Sequence, residues 1–85
     1  MTASDPELAA AWDELHAANT MGWQVGRPYL HDERGCWEQY AFDPKEKPRV
    51  GKRSREWIAI GKTEAECVRE MAECLRELAA GRWPR

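Results

Sequence analysis

The side chains best suited to hold a metal ion or to attack an electrophile are His16, His31, Cys36, Cys67 and Cys74. No two of them stand at C-x-x-C or H-x-x-x-H spacing, which brings two ligands to one side of a turn or helix, so no metal site is expected. No cysteine comes with a recognisable base and orienting group, and neither a Ser/His/Asp set nor a Gly-rich phosphate loop can be singled out. Carboxylates are plentiful, but they fall on helix faces and caps, where solvation accounts for them. The sequence thus offers no catalytic residue and implies no cofactor, and the expectation is that the chain is not an enzyme.

Binding chemistry is better represented. Residues 45–55 contain Lys45, Lys47, Arg49, Lys52, Arg53 and Arg55 against the single acid Glu46, a local charge of +5 in a chain whose net charge is -2. Pro44, Pro48 and Gly51 keep this stretch out of regular structure, so a basic loop over 43–54 is expected, either a solvated loop that its like charges hold open or an arm suited to an acidic protein surface or a phosphate backbone. Five tryptophans, Trp12, Trp23, Trp37, Trp57 and Trp83, are many for 85 residues. Trp12 lies on a helical apolar stripe and is assigned to the core. Trp37 and Trp57, as cross-strand neighbours beside the basic loop, would make an aromatic platform for unpaired bases or for a protein hot spot. The opposing expectation is that these two tryptophans mark the true core face.

Size limits what can support such a surface. Eighty-five residues form one domain, and a chain this short buries only about two-thirds of the surface it exposes when unfolded. A pI near 5.7 argues against a surface built wholly for nucleic acid. There is no long apolar run, no basic start followed by an apolar stretch and no lipidation signal, so no membrane association and a cytoplasmic location are expected. Three cysteines without a secretion signal fit reduced thiols. Cys67 and Cys74 are two helical turns apart, about 10.5 Å, which exceeds the reach of a disulfide.

The elements follow from pattern. Ser4-Asp5-Pro6-Glu7 opens a helix over 5–19, with Ser4 or Asp5 as its N-cap and Leu8, Trp12, Leu15 and Ala18 at helical spacing. Three aromatic and β-branched stretches then predict strands at about 23–30, 36–42 and 55–60, the first demoted by Pro28 to an edge or bulged strand. Thr63 and Glu66 form a capping box at the start of a helix over 63–80, whose stripe includes Val68, Met71, Leu75 and Leu78, and Gly81 ends it. Residues 81–85 form a short tail in which Trp83 packs back on the domain or serves as a docking peptide. The predicted fold class is α+β, a single small α-β-β-β-α domain with a three-stranded antiparallel sheet packed on helices.

Alternation puts Cys36, Glu38, Tyr40 and Phe42 on one face of the second strand and Trp37, Gln39 and Ala41 on the other. Ile58 and Ile60 are expected to face the helices, leaving Trp57 outside. Cys67 and Cys74 flank the last helix's stripe and are expected to pack internally or to join a homodimer seam through Val68, Met71, Leu75 and Leu78.

Ala41-Phe42-Asp43-Pro44, Arg49-Val50-Gly51, Arg55-Glu56-Trp57, Thr63-Glu64-Ala65-Glu66 and the run 68–77 resemble a group of small uncharacterised bacterial proteins, some of them prophage-associated. The resemblance covers the second half of the chain and implies no activity. In topology alone the order looks like the double-stranded RNA-binding domain, which places a Lys-rich motif at the start of its last helix; here that site reads Thr63-Glu64-Ala65-Glu66, which repels phosphate. A three-stranded sheet followed by a helix also resembles domains that lay a sheet in the DNA major groove, with Arg55, Trp57 and the basic loop as contacts. The leading expectation is a non-enzymatic binding or regulatory module, of the kind a mobile element carries, that engages a protein partner through the outer sheet face and the basic loop. A sheet-type DNA or RNA binder is the alternative, and a helix-mediated homodimer is the third.

Overall fold

The computed structural model describes residues 5–45 and 56–82. Among them Lys45 is exposed, whereas Lys47, Arg49, Lys52, Arg53 and Arg55, most of the expected basic loop and Trp83 in the tail lie outside the described residues.

Helix α1 (Pro6–Ala18) starts as its sequence directs. The Asp5 carboxylate accepts hydrogen bonds from the backbone N–H groups of Glu7 (3.0 Å) and Leu8 (3.3 Å), and Pro6 takes a first-turn position where its missing N–H is no loss. Its end is held by Asn19, whose side-chain amide donates to the Trp23 carbonyl (2.9 Å) and accepts from the Trp23 N–H (2.8 Å), aiming the chain into the sheet. Ala11, Leu15 and Ala18 are buried, while Leu8 and Trp12 pack against the core with part of their surface exposed.

Strands β1 (Gln24–Val25) and β2 (Tyr29–His31) lie along one edge of β3 (Cys36–Phe42), and β4 (Glu56–Gly61) lies along the other, all antiparallel. β1 and β2 are the single strand expected at 23–30, interrupted at Pro28. Val25 faces Ala41 but Tyr29 faces Glu38, so residues 26–28 on the edge span only Gln39 and Tyr40 on β3. This one-residue bulge accommodates the proline. It also reverses the alternation: Tyr29 would share the inner face of Val25 in a regular strand, and instead it points outward with Glu38. Gln39, fully buried, donates from Nε2 to the Gly26 carbonyl (2.9 Å) and so satisfies a backbone group in the bulge.

Helix α2 (Glu64–Ala79) is capped by Thr63, whose hydroxyl accepts from the Glu66 N–H (3.1 Å), while the Glu66 carboxylate reaches back to the Lys62 N–H (2.9 Å). At the other end Gly81 takes a left-handed conformation (φ 76°) and Arg82 N–H bonds back to the Glu77 carbonyl, closing the helix as the sequence requires. The helix packs on β4 and β3 and against α1. Arg69 fastens the two helices, with Nη1 3.0 Å from Glu7 and Nε 3.6 Å from Glu14, carboxylates two turns apart on α1. The result is an α+β domain of two layers, helices on one side of an antiparallel sheet.

One expectation changes. The sheet face turned toward the helices is that of Trp37, Gln39, Ala41, Trp57 and Ala59, whereas Ile58 and Ile60 are 41% and 50% exposed on the other side. The inner face couples bulk to smallness: Trp57 stands opposite Ala41 and Trp37 opposite Gly61, which leaves room for both indoles beneath the helices. Burying two indoles removes more apolar area from water than burying two isoleucines, and that difference selects the face. The apolar stripe of α2 faces inward. Val68, Met71 and Leu75 have no exposed surface, and Leu78 packs against the same core. These side chains pack into the chain's own interior.

Candidate binding face

The outer face of the sheet is uncovered among the described residues. Reading across the strands, Tyr29, Glu38 and Ile60 form one row, Tyr40 and Ile58 the next, and Phe42 and Glu56 the last. Tyr29, Phe42, Ile58 and Ile60 are all exposed, giving an apolar surface whose large side chains come from the edge strands as well as from β3. Large apolar groups gathered on one face of a small domain are characteristic of a contact surface.

A polar knot lies within this face. Glu38 is only 5% exposed even though it points outward. The Tyr29 hydroxyl donates to Glu38 Oε2 at 2.7 Å, and Arg34 in the hairpin turn places Nη1 3.5 Å from Oε1. The rings of Tyr29 and Tyr40 stack nearly parallel, 6.0 Å between centroids and 7° between planes, with their hydroxyl oxygens 3.1 Å apart. The carboxylate is thereby screened by aromatic edges and held by charge-assisted bonds. The Tyr29 phenol titrates above its ordinary range, first through its bond with Tyr40 and then through its bond with Glu38, which make loss of the proton unfavourable.

The expected platform of Trp37 and Trp57 does not form. Both are on the inner face, and they are not cross-strand neighbours, since Trp57 is opposite Ala41 and Trp37 opposite Gly61. Tyr29 and Tyr40 supply the aromatic surface instead. The signal that could have found them was Pro28: a proline inside a strand pattern implies a bulge, and a bulge of one residue flips every later side chain. Phe42 and Glu56, which lie on either side of the basic stretch in the sequence, are a register pair at the end of the outer face.

A concavity of about 650 Å³ lies where β4 runs into α2 and is lined by Cys36, Ile60, Gly61 and Lys62 with Glu66, Arg69, Glu70 and Glu73. Cys36 is half-exposed there and stands opposite His31 across β2 and β3. Cys67 is buried, its Sγ 3.5 Å from the Ala59 carbonyl, and burial with the nearby Cys36 pushes its thiol up to about 12. Among the described residues no group of three His, Cys, Asp or Glu side chains could hold a metal ion, and no helix is long and apolar enough to cross a membrane.

Comparison with family models, with characterised proteins and with solved structures finds no match to this chain.

Proposed function

We propose that the chain is a small non-enzymatic binding module of the cytoplasm whose outer sheet face docks a protein segment combining acidic and apolar residues. The observation that carries this reading is the placement of Phe42, Ile58 and Ile60, exposed on one face, next to the register pair Phe42–Glu56 from which the +5 stretch departs. Apolar side chains of the partner would lie on the isoleucines and Phe42, and its carboxylates would meet Lys45 and the basic residues that follow in sequence. Aliphatic side chains and the Glu38 carboxylate in the same face favour protein over nucleic acid, because neither stacks on a base nor attracts phosphate. Three free thiols support the reducing location.

Selection of a random peptide library on the immobilised chain tests this. Enriched peptides should combine Asp or Glu with Leu, Ile or Phe, and should lose binding to the Ile60→Asp variant and to a variant with the six basic residues neutralised. Peptides without acidic bias, or binding that survives Ile60→Asp, would refute the docking face. The exposed rings of Tyr29 and Phe42 are what a sheet-type nucleic-acid binder would use, so a single-stranded oligonucleotide titration at about 50 mM salt, where backbone contacts are strongest, belongs beside the selection. Tight oligonucleotide binding with no peptide enriched would replace the protein reading by the nucleic-acid one.

A further inference from the structure

The two edges of the sheet are built differently. The β1/β2 edge carries a bulge and Pro28, features that keep a strand from adding a neighbour. β4 has neither. Its sequence Glu-Trp-Ile-Ala-Ile-Gly contains no proline and no lysine, it stays in register with β3 throughout, and among the described residues no strand lies on its far side.

The backbone groups that point off this edge can be assigned. The Gly26 N–H donates to the Tyr40 carbonyl (2.9 Å), so the backbone of Tyr40 faces the β1/β2 edge. Residues alternate along an antiparallel strand, and therefore Trp37, Gln39 and Ala41 are the ones that bond to Gly61, Ala59 and Trp57. The N–H and C=O groups of Ile58 and Ile60 consequently point away from the sheet.

We infer that β4 pairs antiparallel with β4 of a second copy, with Ala59 on the two-fold axis, Ile58 opposite Ile60 of the second copy and Glu56 opposite its Lys62. Self-complementarity selects this occupant and this register. The outward backbone groups of Ile58 and Ile60 meet their counterparts, two isoleucine pairs lie on the outer face, and each end of the seam joins a carboxylate to an ammonium. On the inner face Trp57 stands opposite Gly61 of the second copy, a neighbour with no side chain to obstruct the indole. Sliding the strands by two residues keeps the backbone matched but sets Glu56 against Ile60, or Ile58 against Lys62, and the charge match is lost. The pairing uses the edge of the sheet and stands apart from the docking role of its face, although it would join two outer faces into one continuous surface.

Sedimentation equilibrium of the full chain, with circular dichroism to verify folding, tests the pairing through charge exchange. The wild type should self-associate, and Glu56→Lys or Lys62→Glu alone should each weaken association about tenfold or more, because both ends of the seam then carry like charges. Mixing the two variants in equal amounts should restore the dimer, since every altered charge meets its opposite. Ile58→Pro should remain folded and monomeric, as it removes an N–H that the monomer does not use. A wild type that stays monomeric at millimolar concentration, or a dimer indifferent to both charge variants, overturns the inference. Neither outcome depends on whether the outer face binds a peptide.

Discussion

The backbone of Gly61, the last residue of β4, lies directly against the backbone of Cys67 in the first turns of α2: a Cβ on Gly61 would collide with the nitrogen and Cα of Cys67. The glycine is needed here for room, since its backbone conformation is open to any residue. The contact brings the helix onto the strand that precedes it and leaves space on the other side of Gly61 for Trp37 of β3. The Gly61→Ala variant should therefore lose about 1–3 kcal/mol of stability, the usual range for overpacking, because the obstacle is backbone and cannot swing away. Urea unfolding checks this. A midpoint unchanged from wild type would mean that the helix is free to shift.

The assignment of the two sheet faces makes opposite demands on residues of similar hydrophobicity. Ile60 is half exposed, so Ile60→Thr, which keeps β-branching, should change stability by no more than about 0.5 kcal/mol. Leu75 has no exposed surface, and Leu75→Ala should cost about 2–5 kcal/mol through lost burial and the cavity left behind. The two variants should be compared by denaturant unfolding at a concentration low enough to dissociate any dimer. Comparable losses at both positions would mean that Ile60 belongs to a core.

Residues whose signals are local are legible in the sequence. Asp5 and Pro6 open α1, Thr63 and Glu66 cap α2, and Gly81 closes it, because each acts on backbone groups within a few residues of itself. Pro28 correctly marked an irregular edge strand. The faces were harder to assign. Alternation groups Trp37 with Gln39 and Ala41 but does not say which group is inside, and a buried Gln39 between Trp37 and Ala41 makes the inner face look polar. Its place is understandable only with Gly26 present, since the carbonyl it satisfies is thirteen residues away in sequence. The outer cluster of Tyr29, Glu38 and Tyr40 was hidden for the same reason: it depends on how many residues the bulge contains, a quantity set by pairing across strands.

That cluster gives the chain a measurable alkaline signature. The Tyr29 phenol is held above its ordinary value of 10.0 by its bonds with Tyr40 and Glu38, so the folded chain keeps this proton more tightly than the unfolded chain does. Linkage then fixes the direction: the contribution is fully present below about pH 10 and is lost as the pH rises beyond it. Absorbance titration of tyrosinate should resolve one phenol that ionises later than a free tyrosine, and Tyr29→Phe should abolish that late component. The same variant should lose less stability than wild type between neutral pH and strongly alkaline pH. A late component that survives Tyr29→Phe would place the perturbed phenol elsewhere.

The three thiols should separate into one accessible and two protected groups. Cys36 is half-exposed at the mouth of the cleft beside α2, whereas Cys67 and Cys74 are buried on the helix. Reaction with a thiol reagent requires thiolate and access, and Cys67 has little of either, since burial raises it from 9.0 to about 12. Mass spectrometry of the native chain at mildly alkaline pH should show a single fast label on Cys36, with the other two sites labelled only as the fold opens, and all three labelled together in urea. Because the folded thiol of Cys67 is raised, its stabilising contribution is complete below pH 9.0 and declines as the pH climbs toward 12, so labelling of Cys67 should accelerate as the pH rises above 9.0. Equal native rates at all three cysteines would show that α2 does not hold its inner face closed against the sheet, and would remove the support on which the outer face and the β4 edge both depend.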